Sequence, residues 1–225
     1  MERVVQMAER RARILAAARE IVAEGGSAGL SMRELARRSG VTVPTVYNLI
    51  GGRDAVLLAA IEEQTARFVA SIEESRARSP VERILAVHES CVRELRRLPR
   101  YYRTLLMLFA TSHAADAIRS RVQSALAGEL ARGVESLKVA ALLADWVDPA
   151  VLVALLQRNL SAVALQWASG ELSDTGLRST ALYGACCVLA GACAAEARDR
   201  FAARAAASQT AAAAVSRPAR PRRRR

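Results

Sequence analysis

Two short helical segments separated by Ser39-Gly40-Val41 constrain the fold of this chain more than any other feature. Ser31 stands three residues before Glu34 in a Ser-x-x-Glu capping pattern, which predicts that a helix starts just after it. Thr42 can cap a second helix. Gly40 can adopt the left-handed conformation that a tight turn between helices requires. The pattern therefore predicts a helix-turn-helix near the N-terminus.

The rest of the chain also has a helical pattern. Ala, Leu, Arg and Glu dominate, aromatic residues make up 4% of the chain, and no alternating β-branched run appears. We predict an all-α fold of about nine helices, whose first helix covers residues 9–23 and whose last long helix begins at Ser173 or Asp174 and fades out over 205–214. Residues 1–52 would form a three-helix DNA-binding domain, residues 53–205 a larger helical domain for ligand sensing and dimerisation, and residues 206–225 a disordered basic tail.

The second helix of a helix-turn-helix presents its exposed side chains to the major groove of DNA. Leu35, Val46 and their apolar neighbours would face the small core. Asn48 can pair with an adenine edge through two hydrogen bonds, while Thr, Val and Pro groups suit phosphates and thymine methyls. Arg33 and Arg53 would bind phosphates, with Arg11 or Arg13 as further candidates. The predicted contacts of the second helix are Thr42, Val43, Pro44, Thr45, Tyr47 and Asn48.

This stretch resembles the tetracycline-repressor (TetR) family over roughly the first quarter of the chain. The resemblance is carried by Gly25-Gly26, Ser31 with Leu35-Ala36, Gly40-Val41-Thr42, Thr45-Val46-Tyr47 and the run from Ile50 to Leu57. Ile50 stands where the family usually has Phe, and Arg53 where it usually has Lys. The resemblance implies a homodimer, usually a repressor, that binds a palindromic operator and releases it when a small ligand enters the C-terminal domain.

The two most apolar segments, residues 149–169 and 174–200, are predicted to supply the dimer interface. Small residues recur along the second segment at a spacing that lets helices approach closely, so that two helices from each chain could form a four-helix interface. The alternative is burial within one monomer. The predicted interface residues are Leu152, Leu156, Gly184, Val188, Gly191 and Ala195.

A ligand pocket is predicted among the helices between residues 80 and 169. Few charges occur within its apolar lining, which favours a lipophilic or aromatic ligand. Each histidine could instead be an ordinary surface or core residue, and the tyrosine pair could simply anchor a helix start. The candidate lining residues are His88, Tyr101, Tyr102, His113, Trp146, Asn159 and Gln166.

Composition narrows the partners and the compartment. The formal net charge of +11 favours a polyanionic partner, although part of the excess lies in residues 217–225. The cysteines at 91, 186, 187 and 193 are arranged poorly for a disulfide framework, which predicts a reduced cytoplasm, with the protein associated with the nucleoid when bound to DNA. Three of them could form a redox switch, but packing is the simpler role. The apolar run 181–195 is too short to span a bilayer, so no membrane partner is expected.

No pattern for a cofactor, a metal site or a catalytic centre is evident, so no enzymatic activity is expected. The partners predicted are double-stranded operator DNA, a small-molecule effector and a second copy of the chain. Three alternatives stay open: an activator or ligand-independent regulator of the same fold, a helical protein-interaction module, and an enzyme.

Overall fold

The computed structural model describes residues 2–26, 29–73 and 79–215. The all-α prediction is confirmed, with ten α-helices among these residues rather than about nine. A short 3-10 turn, His113–Ala115, precedes the seventh helix. The helices are α1 (Glu2–Gly25), α2 (Met32–Ser39), α3 (Val43–Leu49), α4 (Arg53–Glu73), α5 (Pro80–Arg97), α6 (Pro99–Thr111), α7 (Asp116–Val139), α8 (Pro149–Ser169), α9 (Asp174–Ala192) and α10 (Ala195–Val215).

The chain divides into two compact units. The first is built from residues within 1–71 and 94–122, and the second from residues within 72–93 and 123–225. Helices α4, α5 and α7 each contribute residues to both units. These structural units do not follow the functional division at residue 52, which stays a prediction.

The first unit has a small core under the helix-turn-helix. Ile14, Ala18, Leu35 and Val46 are each completely buried. Helix α1 starts at Glu2, well before the predicted start at residue 9, and residues 4–13 are all exposed. The early part of α1 therefore forms without a core beneath it, which is consistent with a run rich in good helix formers.

In the second unit, α8 and α9 form a close antiparallel pair joined by a short turn. Asp148 accepts the Ala150 amide at 2.7 Å to cap α8, and Ser173 accepts the Gly176 amide at 3.1 Å to cap α9. A Cβ atom on Gly184 would lie 2.2 Å from the amide nitrogen of Asn159. The absence of a side chain at Gly184 therefore lets two helices of the same chain approach closely, which is the alternative to its predicted place in a dimer interface.

Burial corrects two of the predicted interface residues. Leu152 and Leu156 are 3% and 0% exposed, so both belong to the core of a single chain and have no surface to offer a partner. The apolar residues that α8 leaves exposed are Val151, Leu155 and Leu165. A dimer interface on this helix stays a prediction.

The last predicted helix is interrupted at Cys193. The Ala144 amide donates to the carbonyl of Ala192 at 3.0 Å, and the Ala194 amide donates to the carbonyl of Leu142 at 2.9 Å. These bonds form a short antiparallel bridge, and they replace the helical partners of the backbone at that point.

Helix α10 continues to Val215. Residues 206–215 are therefore helical, whereas they were predicted to belong to a disordered tail. This stretch is rich in alanine, the strongest helix former, which explains the extension. Residues 216–225 lie outside the described part of the chain.

One helix in the described ranges, α8, is long and apolar enough to cross a membrane by length and composition alone. Arg158 and Asn159 lie near its midpoint, where a charged side chain is costly in hydrocarbon. Helix α8 also packs closely against α9.

The cysteine thiols differ sharply in accessibility. Cys91, Cys186 and Cys193 are buried, whereas Cys187 is exposed. Burial raises the pKa of Cys91 to about 12, and those of Cys186 and Cys193 to about 11. The three buried thiols are therefore protonated at neutral pH and react poorly as nucleophiles.

We expect a disulfide reagent such as 5,5′-dithiobis(2-nitrobenzoate) to label the folded protein rapidly at Cys187 alone in dilute solution, where the protein is monomeric, because only thiolate that the reagent can reach reacts. The labelling is followed by absorbance, with mass spectrometry of the tryptic peptides to locate the site. The Cys187→Ser variant should lose the rapid phase, and Cys91→Ser should keep it. Rapid labelling of Cys91 or Cys193 would contradict this expectation.

Candidate nucleic-acid interface

The first helix of the motif, α2, is closed at both ends as its sequence predicts. The Ser31 hydroxyl accepts the Glu34 amide at 3.1 Å. Gly40 has a φ of +66°, and the amide of the next residue, Val41, donates to the carbonyl of Ala36 at 3.1 Å. The left-handed turn therefore ends α2 and redirects the chain into α3.

The second helix, α3, is capped by a pair of threonines. Thr42 accepts the Thr45 amide at 3.4 Å, and the two hydroxyl oxygens lie 2.8 Å apart within one hydrogen bond. Pro44 occupies the first turn, where a missing amide hydrogen costs nothing. These contacts hold the N-terminal end of α3, which is the end that a helix-turn-helix points at base edges.

One side of α3 and its cap is open to solvent. Val46 is the buried residue of this helix. Tyr47 is 53% exposed, Thr42, Pro44 and Asn48 are also exposed, and Val43 and Thr45 are half-buried. We call this surface the recognition face. It comprises the six residues that the sequence predicts to contact DNA: Thr42, Val43, Pro44, Thr45, Tyr47 and Asn48.

The two predicted phosphate-binding arginines have different surroundings. Arg33 is exposed on α2. The Arg53 Nε donates to the carbonyl of Leu30 at 3.1 Å, and its Nη1 lies 3.7 Å from the Asp54 carboxylate. Arg53 therefore fixes the segment that leads into α2, a structural role in addition to its proposed phosphate contact.

An ion-pair network between α1 and α2 was not anticipated from the sequence. Arg38 bridges Glu24 of α1 and Glu34 of α2, each at 2.8 Å, and Arg37 also pairs with Glu34 at 2.7 Å. The hydrogen bonds from Arg37 and Arg38 lower the pKa of Glu34 to about 2. The sequence holds a signal for part of this network, because Arg37 and Arg38 follow Glu34 by three and four residues, the spacing of ion pairs within a helix. The pair between Arg38 and Glu24 joins two helices, so only the tertiary structure shows it.

The predicted ligand-lining residues are divided between the two units. In the first unit, Tyr101 and Tyr102 are buried with their rings edge to face at 5.2 Å, the Tyr102 hydroxyl donates to Glu94 at 2.8 Å, and the His113 side chain is fully exposed.

The other four candidates belong to the second unit. His88 is buried, its Nδ1 lies 2.9 Å from the carbonyl of Ile84, and burial lowers its pKa. Asn159 is half-buried beside Gly184, Gln166 is exposed, and Trp146 is 77% exposed. The seven residues therefore do not form one cluster within either unit, and their role in ligand binding stays a prediction.

A groove in the second unit involves other residues. It has a volume of about 490 Å³ between α5, α9 and α10, and two ion pairs join its walls, Arg178 to Glu89 at 3.1 Å and Arg204 to Glu82 at 3.8 Å. None of the predicted ligand residues lines this groove. Within the described residues, no three His, Cys, Asp or Glu side chains are gathered as metal ligands.

A three-helix arrangement with two capped short helices, a left-handed glycine turn and an exposed second helix defines a helix-turn-helix DNA-binding domain. Residues 14–60 match the family model described as "Bacterial regulatory proteins, tetR family". The likeness to the TetR family is therefore assigned to this N-terminal domain.

Relatives with known names or structures agree with this assignment. The HTH-type transcriptional repressor KstR of Rhodococcus jostii (strain RHA1) is 28% identical over 109 residues, which cover 48% of this chain and 51% of KstR. The match therefore spans about half the length of that curated relative.

Solved structures extend the likeness in fold to most of the chain. SmeT, the repressor of the Stenotrophomonas maltophilia multidrug efflux pump SmeDEF, aligns with a TM-score of 0.62 at 19% identity over 83% of this chain and 92% of its own. A TetR transcription regulator from Haloarcula marismortui aligns with a TM-score of 0.69 at 18% identity over 83% of this chain and 100% of its own. At these identities the structures support the fold alone.

Proposed function

We propose that the protein is a transcriptional repressor that binds a palindromic operator as a homodimer and is released by a small lipophilic or aromatic ligand. The observation that carries the proposal is the recognition face, a set of exposed side chains on a short helix that is held by the Thr42 cap and the buried Val46. Such a helix is suited to reading base edges in the major groove.

Repression is favoured over activation because KstR and SmeT are both named as repressors. Release by a ligand requires that the ligand bind more tightly to the arrangement that does not fit the operator. An activator or ligand-independent regulator of the same fold is the nearest alternative.

A homodimer would be formed through the exposed side of α8. Val151, Leu155 and Leu165 are 55%, 44% and 40% exposed, and their spacing places them on one side of the helix. Gly191 of α9 is also exposed, with nothing within 4 Å of the position its Cβ would take. A two-fold axis beside these residues would bury an apolar strip on both copies and give the dimer two recognition helices, one for each half of a palindrome.

The Leu155→Glu variant is expected to be monomeric at concentrations at which the wild-type protein is dimeric, because it would place a carboxylate in the apolar strip of each copy. Sedimentation velocity measures the change. Met107→Glu is the matched control, since Met107 is an apolar residue of α6 with 39% exposure. A Leu155→Glu dimer as tight as the wild type would rule out this face of α8.

DNA binding is tested with labelled duplexes that tile the sequence next to the gene for this protein. The proposal expects one duplex to be bound far more tightly than a shuffled duplex of the same composition, with an affinity that falls as salt rises. Neutral aromatic and lipophilic compounds should then release the protein from that duplex. Equal affinity for every duplex would reject the proposed function, and release only by highly charged metabolites would reject the proposed ligand class.

A further inference from the structure

The N-terminal part of α1 contacts the C-terminal end of α3, the recognition helix of the motif. Residues 4–13 of α1 are exposed, and the core of the first unit begins at Ile14. Arg11, about one turn before Ile14, reaches α3, where its Nη1 donates a hydrogen bond to the carbonyl of Leu49 at 3.0 Å. Leu49 is the last residue of α3, so a guanidinium group is placed at the C-terminal end of the recognition helix.

This end of α3 needs an external donor. The carbonyls in the last turn of a helix have no partner within the helix, and they carry its partial negative charge. The amides of Ile50 and Gly51 both donate to the carbonyl of Val46, at 3.0 and 3.4 Å. Arg11 supplies the bond that the Leu49 carbonyl accepts, with a full positive charge at the negative end of the helix dipole.

Helix α3 is also lightly anchored. It has seven residues, and Val46 is the one that it buries. One buried side chain locates the helix but limits its rotation and tilt only weakly. A charged contact at its last residue, opposite the threonine cap at its start, would restrict both motions.

We propose that Arg11 is a positioning residue for DNA binding, which acts by holding the C-terminal end of α3 rather than by neutralising a phosphate. The inference rests on the proposed function. If only part of the population has α3 in the arrangement that fits DNA, the apparent affinity falls by that fraction. Two copies on a palindrome would multiply the loss.

The test compares Arg11→Met with Arg10→Met, a neighbouring exposed arginine that makes no hydrogen bond to the described residues. Arg11→Met should weaken operator binding about tenfold, roughly threefold for each copy, as expected for the loss of a cation at a helix terminus. The dependence of affinity on salt should stay as in the wild type, and Arg10→Met should have a smaller effect. Arg11→Lys should recover part of the affinity, because an ammonium can also donate to the carbonyl.

Hydrogen exchange provides a readout that does not involve DNA. The Ile50 amide, which donates to Val46 at the end of α3, should exchange faster in Arg11→Met than in Arg10→Met or the wild type. Circular dichroism confirms that both variants are folded.

Two results would overturn the inference. In the first, the salt dependence of operator affinity shows that Arg11→Met releases about two fewer counterions per dimer than the wild type, which would make Arg11 a phosphate contact. Equal operator affinity and equal exchange in the two methionine variants would leave Arg11 without a positioning role. If the wild-type protein prefers no duplex, the proposed function fails, and the exchange of the Ile50 amide alone decides whether Arg11 holds α3.

Discussion

The Asn48→Ala variant is expected to lose operator affinity by about 1–3 kcal/mol for each half-site, the usual value of one bidentate contact with a base. Because the proposed palindrome is read by two copies, the two losses add. Asn48 is exposed, so its removal should leave the thermal unfolding midpoint unchanged. Fluorescence anisotropy with the operator duplex and a shuffled duplex measures both affinities.

Arg33→Ala is the informative comparison for Asn48→Ala. Arg33 is exposed on α2 and is proposed to bind a phosphate, so its loss should weaken binding to all duplexes alike and reduce the dependence on salt. Asn48→Ala should instead reduce the difference in affinity between the operator duplex and the shuffled duplex. If Asn48→Ala discriminates between the duplexes as well as the wild type, the recognition face does not read bases through this residue.

The Trp167→Ala variant is expected to destabilise the second unit by about 3–5 kcal/mol, the usual cost of truncating a large buried aromatic side chain. Trp167 is completely buried, and its Nε1 donates to the Asp174 carboxylate at 2.7 Å. The substitution would therefore leave a cavity and also remove a bond that joins the end of α8 to the start of α9. Urea denaturation followed by circular dichroism measures the free energy of unfolding.

Trp146 provides a matched control, since it is the other tryptophan of the chain and is 77% exposed. Trp146→Ala should change the free energy of unfolding by no more than about 0.5 kcal/mol, as is usual for surface positions. The remaining fluorescence should be that of a tryptophan shielded from water, with little quenching by acrylamide. Equal destabilisation by the two variants would mean that Trp167 does not anchor the α8–α9 pair.

The recognition helix was predictable because its signals are local. Ser31, Gly40 and Thr42 act on backbone groups within a few residues of themselves, so the local sequence determines where α2 begins and ends and where α3 begins. Helix propensity and capping operate over the same short range, which is why the all-α class was also correct.

What the sequence left open depends on contacts between distant residues. The break at Cys193 arises from hydrogen bonds with residues 142–144, and no pattern near residue 193 encodes them. Leu152 and Val151 are adjacent and both apolar, yet the first is buried and the second is exposed. Apolarity shows that a helix has something to bury, but not which of its faces meets the chain itself.

The amino-acid sequence by itself determined the helical class, both ends of α2 and the start of α3, since each depends on interactions within a turn or two of the backbone. The tertiary structure alone decided which side of α8 stays open, how Glu24 is linked to Arg38 and where Arg11 meets α3. Those depend on how helices pack, and packing is set by the summed shape and burial of residues far apart in the chain.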